Sequence, residues 1–314
     1  MLTEKKTILV NDHLFQKKNF FNLNANIKKY NIVFNNKNKS FEKKDLRILL
    51  KLYPNTIGII AGLEKYNRNS VEVKNNLKVI SRVGVGLDSL DLKFLKSRKI
   101  KVLKLSNELT ETVAELFFTL ILLSLRKIIP NYNFLKKNLW KPVIGDNLRK
   151  KKIGIIGFGK IGKKLYKLLQ KFDCKFYIFE KKKIKNILIK KYHIKTIFQK
   201  CDVVCLCLNL NDSTKSIINS KILKYANKEI SIINASRGAI LNEKDLYNFL
   251  KNNEKSTAFL DCFTKEPYKG KLIKLKNLFP LPHIASYTKD TRRNMELASS
   301  KKLIKYLDNI KKNI

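Results

Sequence analysis

The chain has 314 residues, of which 44% are apolar, enough for two domains with hydrophobic cores. Its formal net charge of +42 comes mainly from lysines spread from end to end, whereas a nucleic-acid-binding protein focuses its charge beside aromatic or arginine readers. The longest apolar run, residues 113–125, contains Glu115 and is too short to span a bilayer. From the charge distribution and this run together, we expect neither a nucleic-acid partner nor insertion into a membrane.

The cysteine pattern and the first residues predict a cytoplasmic location. The N-terminal residues lack the basic, apolar and small-residue order of a secretory signal. The spacing of the five cysteines is not that of a disulfide framework, and Cys205 and Cys207 lie on one face of a predicted strand. Small buried hydrophobic side chains explain that pair better than a metal site does. We therefore expect a reduced, cytoplasmic protein that binds no metal.

The first hundred residues predict a small α/β domain. Apolar runs predict strands at 6–11, 31–35, 56–61 and 77–81, with a helix at 45–52. Strands that alternate with helices predict a parallel sheet. Gly84 and Gly86, just past the fourth strand, let backbone N–H groups approach an anion, although an ordinary strand-to-helix turn explains them equally well.

A long apolar segment, residues 110–129, follows this domain. It is apolar nearly all round its helical wheel, which predicts a helix buried in a core or between subunits. Trp140 and Pro142 lie in the loop that leads to the next strand.

The segment 152–162, K-I-G-I-I-G-F-G-K-I-G, organises the rest of the chain. A short β-forming run is followed by three glycines and then by helical periodicity over residues 160–172. Gly157 allows a tight turn, Gly159 lets N–H groups approach a pyrophosphate, and Gly162 lets the helix pack closely on the strand. This order of strand, glycine turn and helix predicts a dinucleotide-binding Rossmann unit.

An acidic residue ends the next predicted strand, 175–179. The Glu180 carboxylate can accept hydrogen bonds from an adenosine ribose and would repel a 2′-phosphate, which favours NAD. The three lysines at 181–183, in the basic segment 181–185 that follows, soften this preference and leave NADP as the alternative cofactor.

The remaining chain predicts more strands of the same sheet and a final helix. The strands are expected at 196–198, 202–208, 230–234, 257–261 and 278–281, and the amphipathic helix at 290–313.

Polar side chains lie at or just past the ends of these later strands, where ligands of open α/β sheets bind. They are Arg237, Asp261, Glu266 and His283. Arg237 can hold a carboxylate and the adjacent carbonyl oxygen, and His283 can give a proton to that oxygen as a hydride arrives. Glu266 would favour the imidazolium and fix the ring. The set therefore predicts hydride transfer to a carbonyl group.

These motifs resemble the D-isomer-specific 2-hydroxyacid dehydrogenase family, especially its phosphoglycerate dehydrogenase-like branch, over nearly the whole chain. The matching segments are V-I-S-R-V-G-V-G-L-D-S-L-D-L (79–92), T-V-A-E-L (112–116), I-G-I-I-G-F-G-K-I-G (153–162), I-I-N-A-S-R-G-A-I-L-N-E-K-D-L (232–246), L-D-C-F-T-K-E-P (260–267) and L-P-H-I-A-S-Y-T (281–288).

The resemblance implies a role for each group of site residues. Arg237, Glu266 and His283 would be catalytic, and the backbone at Val83 and Gly84 would bind the substrate carboxylate. Asp261 would lie beside the nicotinamide carboxamide. The implied NAD-binding residues are Gly157, Gly159, Lys160, Ile161, Gly162, Glu180, Ala235, Ser236 and Asp261.

The resemblance also implies the fold class and the domain organisation. Two Rossmann-like α/β domains are expected, with a doubly wound NAD-binding domain (106–284) inserted into a smaller, flavodoxin-like substrate domain (1–105, completed by 285–314). The expected partners are a 2-hydroxy or 2-oxo acid and a second copy of the chain, which would form a homodimer through the region of the long apolar helix.

One departure bears on the substrate. Phosphoglycerate enzymes place an Arg-Ser pair after the strand at 56–61 to meet the substrate phosphate, whereas this chain has Gly62, Leu63 and Glu64 there. Glu64 would repel a phosphate unless Lys65 compensates. The sequence therefore leaves glyoxylate, hydroxypyruvate and phosphoglycerate types of substrate open.

Two other functions are compatible with the same fold. One is an NAD(H)-sensing, corepressor-like interaction protein, which can retain Arg237, Glu266 and His283. The other is oxidation of formate or phosphite, which would be recognised by activity on a donor without a 2-hydroxyl group.

Overall fold

The computed structural model describes residues 5–23, 27–37, 39, 41–72, 76–184 and 189–312. It divides into two units: unit 1 comprises Met1–Leu109 and Tyr287–Ile314, and unit 2 comprises Thr110–Ser286.

Strands and helices alternate along the described residues. The strands are β1 (Lys6–Val10), β2 (Tyr30–Phe34), β3 (Thr56–Ala61), β4 (Val79–Arg82), β5 (Lys101–Leu103), β6 (Lys152–Ile156), β7 (Lys175–Phe179), β8 (Val203–Leu206), β9 (Ser231–Asn234), β10 (Thr257–Leu260) and β11 (Leu278–Pro280). The helices are α1 (Lys17–Phe21), α2 (Lys43–Leu52), α3 (Arg68–Val71), α4 (Leu92–Ser97), α5 (Thr110–Leu125), α6 (Ile128–Lys136), α7 (Lys160–Leu169), α8 (Ile194–Lys200), α9 (Ser220–Leu223), α10 (Glu243–Asn252) and α11 (Lys289–Lys312).

Unit 1 is built on a five-stranded sheet of order β2-β1-β3-β4-β5, whose described strand pairs are all parallel. Side chains alternate between its faces, so that Ile8 and Val10 pack with Leu303 of α11, whereas Leu9 packs with Leu46 of α2 on the opposite face. Because helices cover both faces, every residue of β3 is buried.

Unit 2 is built on a six-stranded parallel sheet of order β11-β10-β9-β8-β6-β7. The strand order reverses between β6 and β8, and ligands of doubly wound sheets bind at such a reversal. The glycine loop that follows β6 lies at this point. Two parallel α/β sheets, one in each unit, confirm the predicted fold class.

The predicted strand at 196–198 is wrong, because this segment lies within helix α8. The buried residues are Ile194, Ile197, Phe198 and Cys201, which recur at the spacing of one helix face. A stretch of three residues looks the same in a strand and in a helix, and the flanking residues decide between the two.

The long apolar segment forms two helices rather than one. Helix α5 ends at Leu125, and Lys127 has a left-handed backbone with φ of 52° before α6 begins. Helix α5 buries one face, including Phe117 and Ile121, whereas α6 has no buried residue. The basic segment predicted at 181–185 ends at Lys185, which lies outside the described residues.

The described residues were searched for membrane-spanning helices and for metal sites. No helix among them has the length and apolar character needed to cross a bilayer. In the same part of the chain, no three His, Cys, Asp or Glu side chains converge in a way that would hold a metal ion.

Candidate active site

The glycine loop after β6 has the geometry that its three glycines predict. Gly157 has a positive φ of 98°, and its N–H donates to the Phe179 carbonyl oxygen at 2.9 Å. A Cβ at Gly162 would overlap the Gly157 carbonyl oxygen, so only glycine lets α7 start this close to the strand. A Cβ at Gly159 would meet nothing within 4 Å, so the approach to the first turn of α7 is open.

The Glu180 carboxylate ties this loop to the end of β7. It accepts hydrogen bonds from the Phe158 N–H at 2.9 Å and the Lys182 N–H at 3.0 Å. Partial burial raises the pKa of Glu180, but the backbone N–H donors outweigh this and hold it below its ordinary value. Glu180 is therefore an anion near neutral pH, with its position fixed.

These features fit a dinucleotide. The first N–H groups of α7 have no acceptor within the helix, as at any helix start, and they suit a pyrophosphate. The ionised Glu180 suits a ribose with free hydroxyl groups. Three exposed lysines, Lys181, Lys182 and Lys183, follow it, and Lys181 donates to the Ser213 hydroxyl at 3.0 Å.

His283 and Glu266 form a hydrogen-bonded pair. The His283 Nδ1 lies 2.8 Å from Glu266 Oε2, and both side chains are 29% exposed. Glu266 Oε1 also accepts the Phe263 N–H at 2.9 Å, which fixes the carboxylate. Because a carboxylate only accepts, Nδ1 carries the proton in this pair. No described residue bonds to Nε2, so this second ring nitrogen is available for proton transfer.

The electrostatics of Glu266 depend on this pairing. Partial burial raises the pKa of Glu266, but the hydrogen bond from His283 and the nearby Arg237 charge outweigh it and hold that pKa below its ordinary value. Glu266 thus stays ionised and can stabilise a positive charge on the His283 ring.

Asp261 holds the backbone that presents His283. The buried Asp261 carboxylate accepts the Ile284 N–H at 2.7 Å and the Ala285 N–H at 2.9 Å. His283 itself has a left-handed φ of 57°, a conformation that costs a non-glycine residue roughly 1–2 kcal/mol. Burial raises the pKa of Asp261, and its hydrogen bonds only partly offset this. The two bonds to Asp261 therefore stabilise a strained turn.

Arg237 lies in a loop fixed by Asn234, a buried residue at the end of β9. The Asn234 side chain donates to the Arg237 carbonyl oxygen at 2.9 Å and accepts from the Ser236 N–H and hydroxyl at 3.1 and 2.8 Å. The Arg237 Nη1 donates to the Ser236 carbonyl oxygen at 2.7 Å. A Cβ at Gly238 would overlap the backbone of Phe263, so this loop packs directly against the one that carries Glu266.

The four polar side chains that the sequence predicts at one sheet edge are linked to one another in the structure. Hydrogen bonds join Glu266 to His283 and Asp261 to the His283 turn, and Arg237 acts on Glu266 electrostatically. The role of Asn234 was not predicted, although a polar residue at the end of a buried strand, directly before a loop with Ser236, is typical of such a role.

In unit 1, the loop after β4 differs in detail from the expectation for the substrate carboxylate. The Val83 N–H already donates to the Ala61 carbonyl oxygen, and the Gly84 N–H to that of Arg82, both at 2.9 Å. The next two N–H groups, of Val85 and Gly86, have no acceptor among the described residues.

The side chain of Glu64 does not face solvent. It is 2% exposed and points into unit 1, whereas Leu63 is 43% exposed and Lys65 is exposed as well. Glu64 therefore cannot contact a substrate phosphate directly, because its carboxyl group is buried. The arginine that phosphoglycerate enzymes place after this strand is nonetheless absent from this chain.

Known proteins resemble this chain in sequence. Residues 118–285 match the family model described as D-isomer specific 2-hydroxyacid dehydrogenase, NAD binding domain. A hydroxypyruvate reductase from Thermotoga maritima is 31% identical over 82% of this chain and 87% of its own length. A glyoxylate reductase from Thermococcus litoralis is 31% identical over 77% of this chain and 78% of its own.

Solved structures share the fold over almost the whole chain. The TT0316 protein from Thermus thermophilus superposes with a TM-score of 0.85 at 24% identity, covering 96% of this chain and 97% of that one. A glyoxylate reductase from Paecilomyes thermophila gives a TM-score of 0.82 at 22% identity, covering 95% and 94%.

Proposed function

The chain belongs to the D-isomer-specific 2-hydroxyacid dehydrogenase family and is an oxidoreductase with a nicotinamide cofactor, and we propose that it interconverts a small D-2-hydroxy acid and its 2-oxo acid. The observation that carries this proposal is the pairing of His283 Nδ1 with Glu266 at 2.8 Å, which leaves Nε2 available to a substrate.

The proposed mechanism assigns proton transfer to His283. A nicotinamide cofactor, when bound, would supply or accept the hydride. In the direction of reduction, Nε2–H of the imidazolium donates its proton to the substrate carbonyl oxygen, and in oxidation the neutral Nε2 takes the hydroxyl proton. Glu266 keeps Nδ1 protonated and stabilises the imidazolium, and Asp261 holds the turn that aims the ring.

Substrate binding is assigned to the Arg237 side chain and to two backbone N–H groups of unit 1. The planar guanidinium of Arg237 suits a carboxylate and the adjacent carbonyl oxygen. In unit 1 the N–H groups of Val85 and Gly86 suit a carboxylate oxygen better than those of Val83 and Gly84, which already donate within the fold.

NAD is the proposed cofactor. The fixed, ionised Glu180 would accept from ribose hydroxyls and repel a 2′-phosphate. The proposed NAD-binding residues are Gly157, Gly159, Lys160, Ile161, Gly162, Glu180, Ala235, Ser236 and Asp261. NADP is the second candidate, favoured by the exposed lysines 181–183.

Glyoxylate and hydroxypyruvate are the proposed substrates. The relatives named as hydroxypyruvate and glyoxylate reductases support a small, uncharged substrate side chain, as does the exposed Leu63 after β3. Phosphohydroxypyruvate is the second candidate, because the exposed Lys65 carries a charge that suits a phosphate.

The test follows oxidation of NADH and of NADPH by the purified protein with glyoxylate, hydroxypyruvate, 2-oxoglutarate and phosphohydroxypyruvate. We expect the first two to be reduced fastest and with NADH. Tight NADH binding without turnover on any acid would contradict the proposal and favour the NAD(H)-sensing alternative. Activity confined to formate or phosphite would favour the third function.

A homodimer in the cytoplasm completes the proposal. Large apolar side chains are exposed in the segment 128–144, among them Trp140 at 88% and Ile144 at 92%. A second copy of the chain is the proposed cover, and the free thiols of the five cysteines suit a reducing compartment.

Light scattering should give twice the monomer mass, and replacing both Trp140 and Ile144 by Ser should yield monomers. A monomeric parent protein would contradict the proposed dimer.

A further inference from the structure

A buried cluster of charged side chains lies at the carboxyl edge of the unit 1 sheet. Asp12 follows β1, Glu64 follows β3, Arg82 ends β4, and α11 contributes Arg292 and Glu296. All are buried except Arg292, whose side chain is 14% exposed. Three carboxyl groups therefore share two guanidinium groups, and ionisation of all of them would leave a net negative charge out of water.

Two of the three carboxyl groups are well satisfied. Arg292 Nη2 donates to Asp12 Oδ2 at 2.8 Å and to Glu296 Oε1 at 3.0 Å. Glu296 Oε2 also accepts from the Asn19 side chain at 2.8 Å and from the Gln16 N–H at 3.0 Å. The oxygens of both groups thus have hydrogen-bond donors, although burial still raises the pKa of Glu296.

Glu64 is the carboxyl group that lacks such support. Its Oε1 is buried and makes no hydrogen bond with any described residue, and its Oε2 is 3.4 Å from the Tyr66 hydroxyl. Burial, with repulsion from Asp12, raises the pKa of Glu64 to about 7, although the Arg82 charge and nearby backbone N–H groups oppose the rise. Glu64 therefore changes its charge near neutral pH.

Arg82 connects this cluster to the loop assigned to the substrate carboxylate. Its Nη1 donates to the Val83 carbonyl oxygen at 2.6 Å. A Cβ at Gly84 would lie 2.8 Å from Nη1 and 3.1 Å from Cζ, so the guanidinium lies directly against that residue. A fixed positive charge is thus held behind the backbone that leads to the N–H groups of Val85 and Gly86.

We propose that Glu64 is a positioning residue that sets the charge behind the carboxylate loop, residues 82–86. With Glu64 protonated, the Arg82 charge acts more strongly on an anion at this loop. When Glu64 ionises, its charge opposes that of Arg82 and the anion binds less tightly. The inference rests on the proposed function in taking the carboxylate of a 2-oxo acid as that anion.

The direct test is binding of oxalate, an unreactive dianion, measured by calorimetry at pH 6 and pH 8 in the presence of NADH. The parent protein should bind oxalate roughly three- to tenfold more weakly at pH 8. Glu64→Gln, which mimics the protonated form, should lose most of this change. Glu72→Gln is the matched control, because Glu72 is a half-exposed unit 1 acid that pairs with Arg68 at 3.7 Å, and it should behave as the parent.

Two results would overturn the inference: oxalate affinity in the parent that is the same at both pH values, or a Glu64→Gln variant that keeps the full change. The first needs no variant, so the test survives a variant that does not fold. In turnover assays at pH 8, Glu64→Gln should lower the KM for the oxo acid and leave kcat and the KM for NADH within about twofold.

Failure of the inference and failure of the proposed function are distinguishable. If no 2-oxo acid is reduced but oxalate binding shows the Glu64-dependent change, the proposed reaction is wrong and the inference is supported. If turnover is fast and Glu64→Gln behaves as the parent, the proposed reaction is supported and the inference is wrong.

Discussion

Two glutamates, one at the carboxyl edge of each sheet, differ in the partner that the fold gives them. Glu266 in unit 2 has the His283 ring at 2.8 Å and a backbone N–H, and its pKa is lowered. Glu64 in unit 1 has an oxygen with no hydrogen-bond partner among the described residues, and its pKa is raised to about 7. Unit 2 therefore holds a permanent negative charge beside its proton carrier, whereas the charge in unit 1 depends on pH.

The largest expected effect tests the unit 2 half of this comparison. His283→Ala removes the proton donor and should lower kcat by roughly two to four orders of magnitude, with the NADH dissociation constant nearly unchanged. Steady-state kinetics and fluorescence titration of NADH measure the two quantities.

His193→Ala is the matched control, since His193 also lies in unit 2 and its side chain caps no backbone group at the start of α8. Its kcat should equal that of the parent protein. Activity that survives in His283→Ala would mean that His283 is not the proton donor, and the permanent charge on Glu266 would need another explanation.

Replacing the permanent charge itself should have a smaller effect. Glu266→Gln keeps the shape but removes the charge that stabilises the imidazolium, so kcat should fall roughly 10- to 100-fold. Glu243→Gln is the control, because Glu243 accepts the Thr264 N–H at 2.6 Å in the same loop without touching His283. Equal kcat values for the two variants would contradict a role for the Glu266 charge.

The pH-dependent charge of unit 1 should appear in stability. Because the folded-state pKa of about 7 for Glu64 exceeds the ordinary value of 4.5, the folded protein holds this proton more tightly than the unfolded chain does. Stability from this proton is present below about pH 4.5 and is lost as the pH rises through 7.

Glu64→Gln does not titrate at this position. From pH 5 to pH 8 the free energy of unfolding of the parent should therefore fall by about 2 kcal/mol more than that of the variant. Urea denaturation at both pH values measures this. A constant difference between the two proteins would show that Glu64 does not ionise in this range, and Glu72→Gln should give that constant difference.

The smallest expected effect concerns the cofactor. Glu180→Ala should lower the ratio of kcat/KM for NADH to that for NADPH about tenfold, because the repulsion of a 2′-phosphate is lost. Glu180→Gln keeps an acceptor for the Phe158 N–H and separates the loss of charge from loosening of the glycine loop. An unchanged ratio in both variants would mean that Glu180 does not read the ribose.

Elements with a strong local pattern were predictable from the sequence. The run 152–162 combines β-branched residues, three glycines and helical spacing, and it forms β6, the glycine loop and the start of α7 as expected. The prediction for the segment 196–198 was wrong, because three residues do not define a period and the buried Cys201 completes a helix face. Helices α1, α3, α4, α9 and α10 and strand β5 were not predicted.

The candidate site was predictable in its location but not in its contacts. Arg237, Glu266 and His283 each lie after a strand, which is enough to place them at one edge. The sequence did not reveal that Asp261 binds the backbone after His283, since that contact depends on a left-handed turn. Nor did it reveal that Glu64 points inward, since burial of a charged side chain depends on distant partners such as Asp12 and Arg82.

The most direct test of hydride transfer to a 2-oxo acid uses NADH doubly deuterated at C4 of the nicotinamide, with hydroxypyruvate or glyoxylate as substrate. Mass spectrometry of the 2-hydroxy acid product should show one deuterium at C2 for each NADH oxidised, and chiral chromatography of the hydroxypyruvate product should give the D isomer. A product without deuterium, or NADH oxidation without product, would contradict the proposed reaction.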